Sequence, residues 1–257
     1  MSAGAVTLAV DGPVARIVFD RPEARNAMTW EMYEELGAAC DTIAANRDIR
    51  CAVLRGAGGK AFVAGTDIAR FTAFEGAEDG LRYEREMEAI LAKLADLSVP
   101  TLAVVEGWAV GGGLALSALC DVRIATPEAR FGLPIARTLG NCISIANIAR
   151  LSALLGPARV QRLIVLAEML TADELHRSGF LAELVAPEAL EGRVEEIIGT
   201  ILSHAPLTMR AIKTGMARLA APMPEDSDLV ALCYGSRDFR EGVSAFIGKA
   251  KPHWTGE

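Results

Sequence analysis

Apolar positions recur along the chain at two spacings, one suited to strands and one to helices. Residues 6–10 and 15–19 read as two strands joined through Asp11-Gly12-Pro13, a hairpin opening. Thr29 then caps a helix whose apolar positions Met32, Leu36, Ala39 and Ile43 fall at helical spacing. Residues 52–54 return as a strand and end in the loop Gly56-Ala57-Gly58-Gly59, and residues 61–68 make a second strand-to-turn passage. Residues 71–80 read as a mobile loop, and residues 83–97 as an amphipathic helix with Met87, Ile90, Leu91 and Leu94 on its buried stripe. The apolar run 101–105 behind Pro100 is a buried strand, 114–119 is an apolar helix former, and Gly111, Gly112 and Gly113 stand between them. Two glycine-bearing junctions are thus expected after two strands of one sheet.

Residues 121–125 form another strand, after which helices dominate: 141–155, 157–167, 172–178 and 188–203 all read helically. From His204 no strand is expected, and 205–221, 225–237 and 239–249 read as helices with short connections. Strand–helix alternation followed by helices alone predicts an α/β core, residues 1–203, and a helical C-terminal region, residues 204–257. There is no repeat of solenoid type.

Composition narrows the function classes. A chain of 257 residues that is 51% hydrophobic buries a sizeable core, and a net charge of −7 argues against nucleic acid as the main partner while leaving room for a local basic pocket. The five cysteines lack a C-x-x-C pair and read as reduced thiols of a cytoplasmic protein. No signal peptide and no apolar stretch of bilayer-crossing length is visible, so no membrane partner is expected.

The glycine triplet carries the candidate chemistry. At a strand-to-helix junction it brings the backbone close to a ligand and leaves first-turn N–H groups aimed at an anion, or at an oxygen becoming one. An isolated Gly-Gly-Gly also serves simply as a tight turn. No Lys-Ser or Lys-Thr follows it and no Gly-x-Gly-x-x-Gly is present, so neither a P-loop nor a dinucleotide fingerprint is indicated. His176, His204 and His253 show no metal-ligand spacing, and there is no Gly-x-Ser-x-Gly elbow.

Five segments in order resemble the crotonase family, the enoyl-CoA hydratase/isomerase superfamily: Arg21-Pro22-Glu23-Ala24-Arg25-Asn26-Ala27-Met28, residues 61–68 with Gly65-Thr66-Asp67-Ile68, residues 100–121 with Gly-Trp-Ala-Val-Gly-Gly-Gly, Ala129-Arg130-Phe131-Gly132-Leu133-Pro134, and Glu241-Gly242-Val243-Ser244-Ala245-Phe246. The resemblance implies a spiral of ββα units, with C-terminal helices that mediate trimers, and trimers that pair into hexamers. It implies an acyl-CoA thioester as ligand, with coenzyme A part of the substrate and no permanently bound cofactor. An oxyanion hole would fall on the backbone N–H groups of Thr66 and Gly112, where pre-aimed donors hold developing charge without reorganising. Coenzyme A contacts would fall on Ala64, Thr66, Asp67 and Ile68, on Glu23, Ala24 and Arg25, and, from a neighbouring subunit, on Phe246 and Lys249. Arg25 suits phosphate oxygens as a charged fork, or is a solvated loop arginine. Residues 71–80 and Trp108 are expected to shape the acyl pocket.

The chain departs from the family at the two positions where its hydratases carry glutamates, which here are Ala115 and Ile135. Neither 107–120 nor 129–167 contains Asp or Glu, so the segments that line the family's acyl pocket carry no carboxylate. Arg137, Asn141, Cys142, Ser144 and Asn147 remain as polar groups. Asn141 is the candidate for positioning a water or a carbonyl; Cys142 is a nucleophile if its pKa is lowered, and otherwise an inert thiol; Arg137 serves a substrate carboxylate or is a surface arginine. The expected function is an acyl-CoA-binding enzyme that stabilises a thioester enolate, similar to enoyl-CoA hydratases but without efficient hydration. The alternatives are a catalytically weak or inactive CoA-thioester-binding paralogue, and a CoA decarboxylase or thioesterase.

Overall fold

Strands and helices alternate as the sequence predicts, but the chain lays its strands in two mixed sheets. The computed structural model describes residues 4–219 and 227–253. The opening hairpin is β1 (Ala5–Asp11) and β2 (Val14–Asp20), followed by α1 (Trp30–Ala45), which Thr29 caps by accepting the Met32 N–H at 3.3 Å. Then come β3 (Cys51–Gly56), β4 (Ala61–Val63), a 3-10 helix (Ile68–Ala73) and α2 (Ala77–Ala95). After these stand β5 (Thr101–Val105), β6 (Trp108–Val110), α3 (Gly112–Leu119), β7 (Val122–Ala125), β8 (Arg130–Gly132) and α4 (Ile135–Thr138). The remainder is α5 (Ile145–Leu155), α6 (Pro157–Val165), β9 (Met169–Thr171), α7 (Ala172–Arg177), β10 (Glu183–Leu184), α8 (Leu190–Ser203), α9 (Pro206–Leu219), α10 (Ser227–Tyr234) and α11 (Arg237–Ile247).

The six-stranded sheet runs β1-β2-β3-β5-β7-β10 and the four-stranded sheet β4-β6-β8-β9. Each turn of the chain leaves one strand in each sheet and then a helix, β3-β4-α2, β5-β6-α3 and β7-β8-α4, which is the expected ββα spiral. All pairings are parallel except β1 with β2 and β8 with β9. Both faces of the larger sheet are covered. Ala52, Leu54, Ala103 and Val105 face the main core, while Cys51, Val53, Leu102 and Val104 pack with Val194, Ile198 and Ile201 of α8. Double burial is why β5 reads as an unbroken apolar run rather than an alternating one.

Four sequence expectations are corrected. The glycine triplet is fed by β6, not directly by β5, because the chain crosses to the second sheet at Glu106-Gly107 first. β6, β8, β9 and β10 span only two or three residues each and gave no readable period, since their stability lies in ladder bonds to distant strands. Residues 71–80 are not a loop: the 3-10 helix and the first turn of α2 occupy most of them, with Phe71 and Phe74 in an aromatic cluster with Tyr83, Tyr234 and Phe239. The helix expected over 141–155 starts at Ile145, capped by Ser144, which leaves 141–143 non-helical beside the short α4. The predicted helical residues 220–221 and 225–226 lie outside the described residues. Val230, Tyr234, Phe239 and Val243, from α10 and α11, join the main core.

Candidate active site

β4 and β6 pair in parallel, and each runs out into a glycine turn. Gly65 takes φ +107° and Gly111 φ +55°, where an L side chain is strained. A Cβ on Gly111 would lie 3.6 Å from the Gly65 Cα, and one on Gly112 would lie 3.4 Å from the Thr66 Oγ1, so the two turns touch. A Cβ on Gly113 would stand 1.9 Å from the Val63 carbonyl oxygen, so glycine alone lets α3 start this close to β4. Thr66 forms a parallel bridge with Met28, whose N–H donates to the Gly65 carbonyl at 2.9 Å and whose carbonyl accepts the Asp67 N–H at 2.8 Å. In that pattern the Thr66 N–H is directed away from the bridge. Gly112 opens α3, so its N–H has no intrahelical acceptor. Both residues line one cavity.

The segment around Ala24 and Arg25 is stitched to the same turn, with the Ala64 N–H donating to the Arg25 carbonyl at 3.0 Å. Arg25 is exposed at φ +53°, its guanidinium 5.8 Å above the Trp108 ring. Trp108 does not line the cavity, contrary to expectation; its side chain lies under Arg25 instead. The Asp67 carboxylate accepts the Ala69 N–H at 3.0 Å and Arg21 Nη1 at 2.7 Å. Burial pushes its pKa up, but the Ala69 amide and the Arg21 guanidinium outweigh that and hold it below the usual value. Ala64 and Ile68 line the cavity.

The cavity, about 180 Å³, is walled mainly by apolar groups, among them Ile68, Phe71, Met87, Leu91, Leu133 and Leu151. Ala115 and Ile135 are part of that wall. Asn141 lines it too, as expected: its Nδ2 donates to the Cys142 carbonyl at 3.2 Å and to Tyr234 Oη at 3.4 Å, while its Oδ1 is buried without a partner.

The expectation that no carboxylate lines the pocket is corrected by Glu84. It comes from α2, outside the segments that the resemblance singled out, and is the only charged side chain among the described residues of the lining. Tyr234 Oη donates to Glu84 Oε1 at 2.8 Å. Glu84, Met87 and Leu91 stand at i, i+3 and i+7 and all reach the cavity, so helical spacing from the predicted stripe was the signal that marked Glu84. One turn further on, Glu88 accepts a bond from Ser144 Oγ at 3.2 Å.

Tyr33, Tyr83 and Tyr234 face this carboxylate. Burial, reinforced by the Glu84 charge, pushes Tyr33 up to about 12 and the other two well above the usual phenol value. They are neutral hydrogen-bonding groups. Tyr33 Oη pairs with Thr66 Oγ1 at 2.8 Å and lies 2.7 Å from where a Gly112 Cβ would sit, so it touches both turns.

Arg137 is exposed and absent from the lining, so it offers no cation to a substrate inside the cavity. Cys142 lines the cavity and hydrogen-bonds Cys233; that bond outweighs burial and lowers the Cys233 pKa to about 7. Phe246 reaches the cavity from its own chain, and Lys249 is exposed at φ +51° just beyond α11. None of the three histidines lines the cavity. Among the described residues no cluster of His, Cys, Asp and Glu is placed to hold a metal ion, and no helix is long and apolar enough to cross a membrane.

Comparison with known proteins follows the same outline. The family profile of the enoyl-CoA hydratase/isomerase family matches residues 10–257. The chain is 32% identical over 256 residues to a short-chain-enoyl-CoA hydratase of Clostridium acetobutylicum, covering 98% of this chain and 97% of that protein. It is also 32% identical over 257 residues to a crotonyl-CoA hydratase of Syntrophomonas wolfei, covering 97% of each. Among solved structures, a methylmalonyl-CoA decarboxylase in complex with 2-nitronate-propionyl-CoA superposes with a TM-score of 0.89 at 28% identity, over 98% of this chain and 99% of that one.

Proposed function

The chain belongs to the enoyl-CoA hydratase/isomerase (crotonase) family, and from that premise we propose that it binds an acyl-CoA thioester and stabilises its enolate on the N–H groups of Thr66 and Gly112. The observation that carries this reading is the contact between two glycine turns, each with an outward backbone donor, at the edge of an apolar cavity. Such a cavity excludes water, and fixed donors are worth most where water is excluded. The CoA moiety lies across Ala24, Arg25, Ala64, Asp67 and Ile68, which the bridge at Met28 draws together, with Phe246 and Lys249 at the rim. No cofactor beyond the CoA of the substrate is required.

Hydration needs one group to activate water and another to protonate Cα. With Ala115 and Ile135 in the wall, efficient hydration of crotonyl-CoA is not expected. The second reading is decarboxylation, supported by the similarity to methylmalonyl-CoA decarboxylase and by the same apolar wall, which disfavours a substrate carboxylate more than the enolate left after CO₂ departs.

The test incubates the purified protein in D₂O with crotonyl-CoA and, separately, with methylmalonyl-CoA, followed by NMR against enzyme-free blanks. Deuterium entry at Cα of butyryl-CoA, incubated alongside because the vinylic Cα–H of crotonyl-CoA yields no enolate, with little 3-hydroxybutyryl-CoA from crotonyl-CoA, is the expected result. Propionyl-CoA formed from methylmalonyl-CoA would instead favour the second reading, and free CoA a thioesterase. Gly112→Pro removes one donor at the first position of α3, with the Tyr33 hydroxyl, 2.7 Å from where its Cβ would sit, giving way, and should lower the rate by about 10²–10³. Binding of all three thioesters without turnover or Cα exchange would overturn the enzymatic reading and leave a CoA-thioester-binding paralogue.

A further inference from the structure

The oxyanion turns supply the electrophilic half of enolate chemistry, and the other half is a group that takes the Cα proton. The positions where the resemblance sought it are apolar, and most polar groups of the lining cannot serve. Asn141, Asn147, Thr66 and Thr138 carry no lone pair basic enough near neutral pH, the tyrosines are neutral donors, and the Cys142 thiol is engaged by hydrogen bonding with Cys233. Glu84 remains. It enters from α2 between apolar residues, and its carboxylate is fixed by a 2.8 Å bond from Tyr234 Oη, which is itself held by Asn141 Nδ2.

Two further features tie this carboxylate to the reaction rather than to packing. Its charge is felt by Tyr33, the residue that touches both oxyanion turns, so the acid and the donors share one water-poor space. And Asn141 Oδ1 is a buried acceptor without a partner on the cavity wall, whereas a purely structural network would leave no acceptor open. The Asn141–Tyr234–Glu84 relay therefore keeps one acceptor, Asn141 Oδ1, open at the cavity wall.

We infer that Glu84 is the proton-transferring residue of this site, that Tyr234 and Asn141 position it, and that its substrates are acyl-CoA thioesters bearing a Cα–H and no acyl carboxylate. The inference rests on the enolate reading above. In the forward step a Glu84 Oε lone pair takes the Cα proton; the C–H electron pair becomes the Cα–C1 π bond and the carbonyl π pair moves onto oxygen, where the Thr66 and Gly112 N–H groups hold it. In reverse, Glu84 returns a proton to Cα, after exchange with solvent if the pocket has opened between the two steps. A second carboxylate beside Glu84 would meet like charge, and no cation stands among the described residues of the lining, so an anionic acyl group is disfavoured.

The experiment measures deuterium entry at Cα of butyryl-CoA in D₂O, together with the dissociation constant of butyryl-CoA, for wild type, Glu84→Gln and Tyr234→Phe. Wild type should exchange. Glu84→Gln should bind within a few-fold of wild type and exchange at least ~10²-fold more slowly, the usual worth of a general base. Tyr234→Phe should keep affinity and lose about tenfold in rate, the split expected when a base is mispositioned rather than removed. Formate should restore part of the rate to Glu84→Ala and none to Tyr234→Phe. Should Glu84→Gln not fold, Glu84→Asp takes its place, with at least a tenfold loss expected. If wild type exchanges and the Glu84 variants exchange equally fast, the assignment of Glu84 is overturned while the enolate reading stands. If wild type binds butyryl-CoA without exchange, both are overturned. Turnover of methylmalonyl-CoA faster than exchange into butyryl-CoA would overturn the substrate class.

Discussion

Asp67 is engaged on two sides, by the Ala69 N–H and by Arg21, and so closes the turn that presents Thr66. Its folded-state pKa lies below its ordinary value of 3.8, so its contribution to stability is complete above that value and is lost as pH falls through the lower folded one. Asp67→Asn removes the contribution at all pH values. The difference in Tm between wild type and the variant should therefore narrow as pH is lowered below 3.8, and a constant difference would mean that the carboxylate adds nothing to the fold. At this scale the sequence was informative wherever chemistry is local. Gly65, Gly111 and Gly113 announced close backbone approach by their type, and the Thr66 hydroxyl lies 3.4 Å from where a Cβ on Gly112 would sit. Glu84 was missed because a glutamate on a helix is ordinarily solvated, and only the walls around it reveal where it points.

α2 sets the position of Glu84, and α10 sets the position of α2. Their crossing is made close by Gly80, where a Cβ would lie 2.2 Å from Tyr234 Cγ, inside a buried aromatic ring that cannot swing to solvent. Gly80→Ala is expected to cost ~1–3 kcal/mol by overpacking, which for a chain of this size lowers Tm by several degrees. It should also slow Cα exchange, because Tyr234 moves away from Glu84; calorimetry and the exchange assay read the two effects separately, and an unchanged Tm would show that the helices separate freely. Elements of helical period were legible in the sequence nearly to their ends, α1 and its Thr29 cap above all. Strands β6, β8 and β9 of the smaller sheet were not, because three residues do not display a period and their bonds are made with residues far along the chain. Residues 71–80 misled for a related reason: Phe71 and Phe74 belong to an aromatic cluster completed by Tyr234 and Phe239, more than 150 positions away.

At the scale of the molecule, α9 leaves Leu207, Ile212 and Met216 exposed, an apolar set that water does not favour on a free surface. This supports the proposal that residues 204–257 act as a trimerisation region. Light scattering of the purified protein should give three times the 27.2 kDa chain mass, or six times if trimers pair, and Leu207→Glu with Ile212→Glu should shift it toward one. A monomer in the wild type would exclude this role for α9. What the sequence by itself determined is the alternation of strands and helices, the family, and the two glycine turns, because periodicity, glycine and short ordered motifs are properties of neighbouring residues. What only the tertiary structure decided is that those strands divide between two sheets, and that a carboxylate from α2, a tyrosine from α10 and an asparagine from the loop after α4 meet across one cavity. Those contacts join residues 93 and 150 positions apart, and their geometry is fixed by packing against a shared core, a quantity that no local pattern encodes.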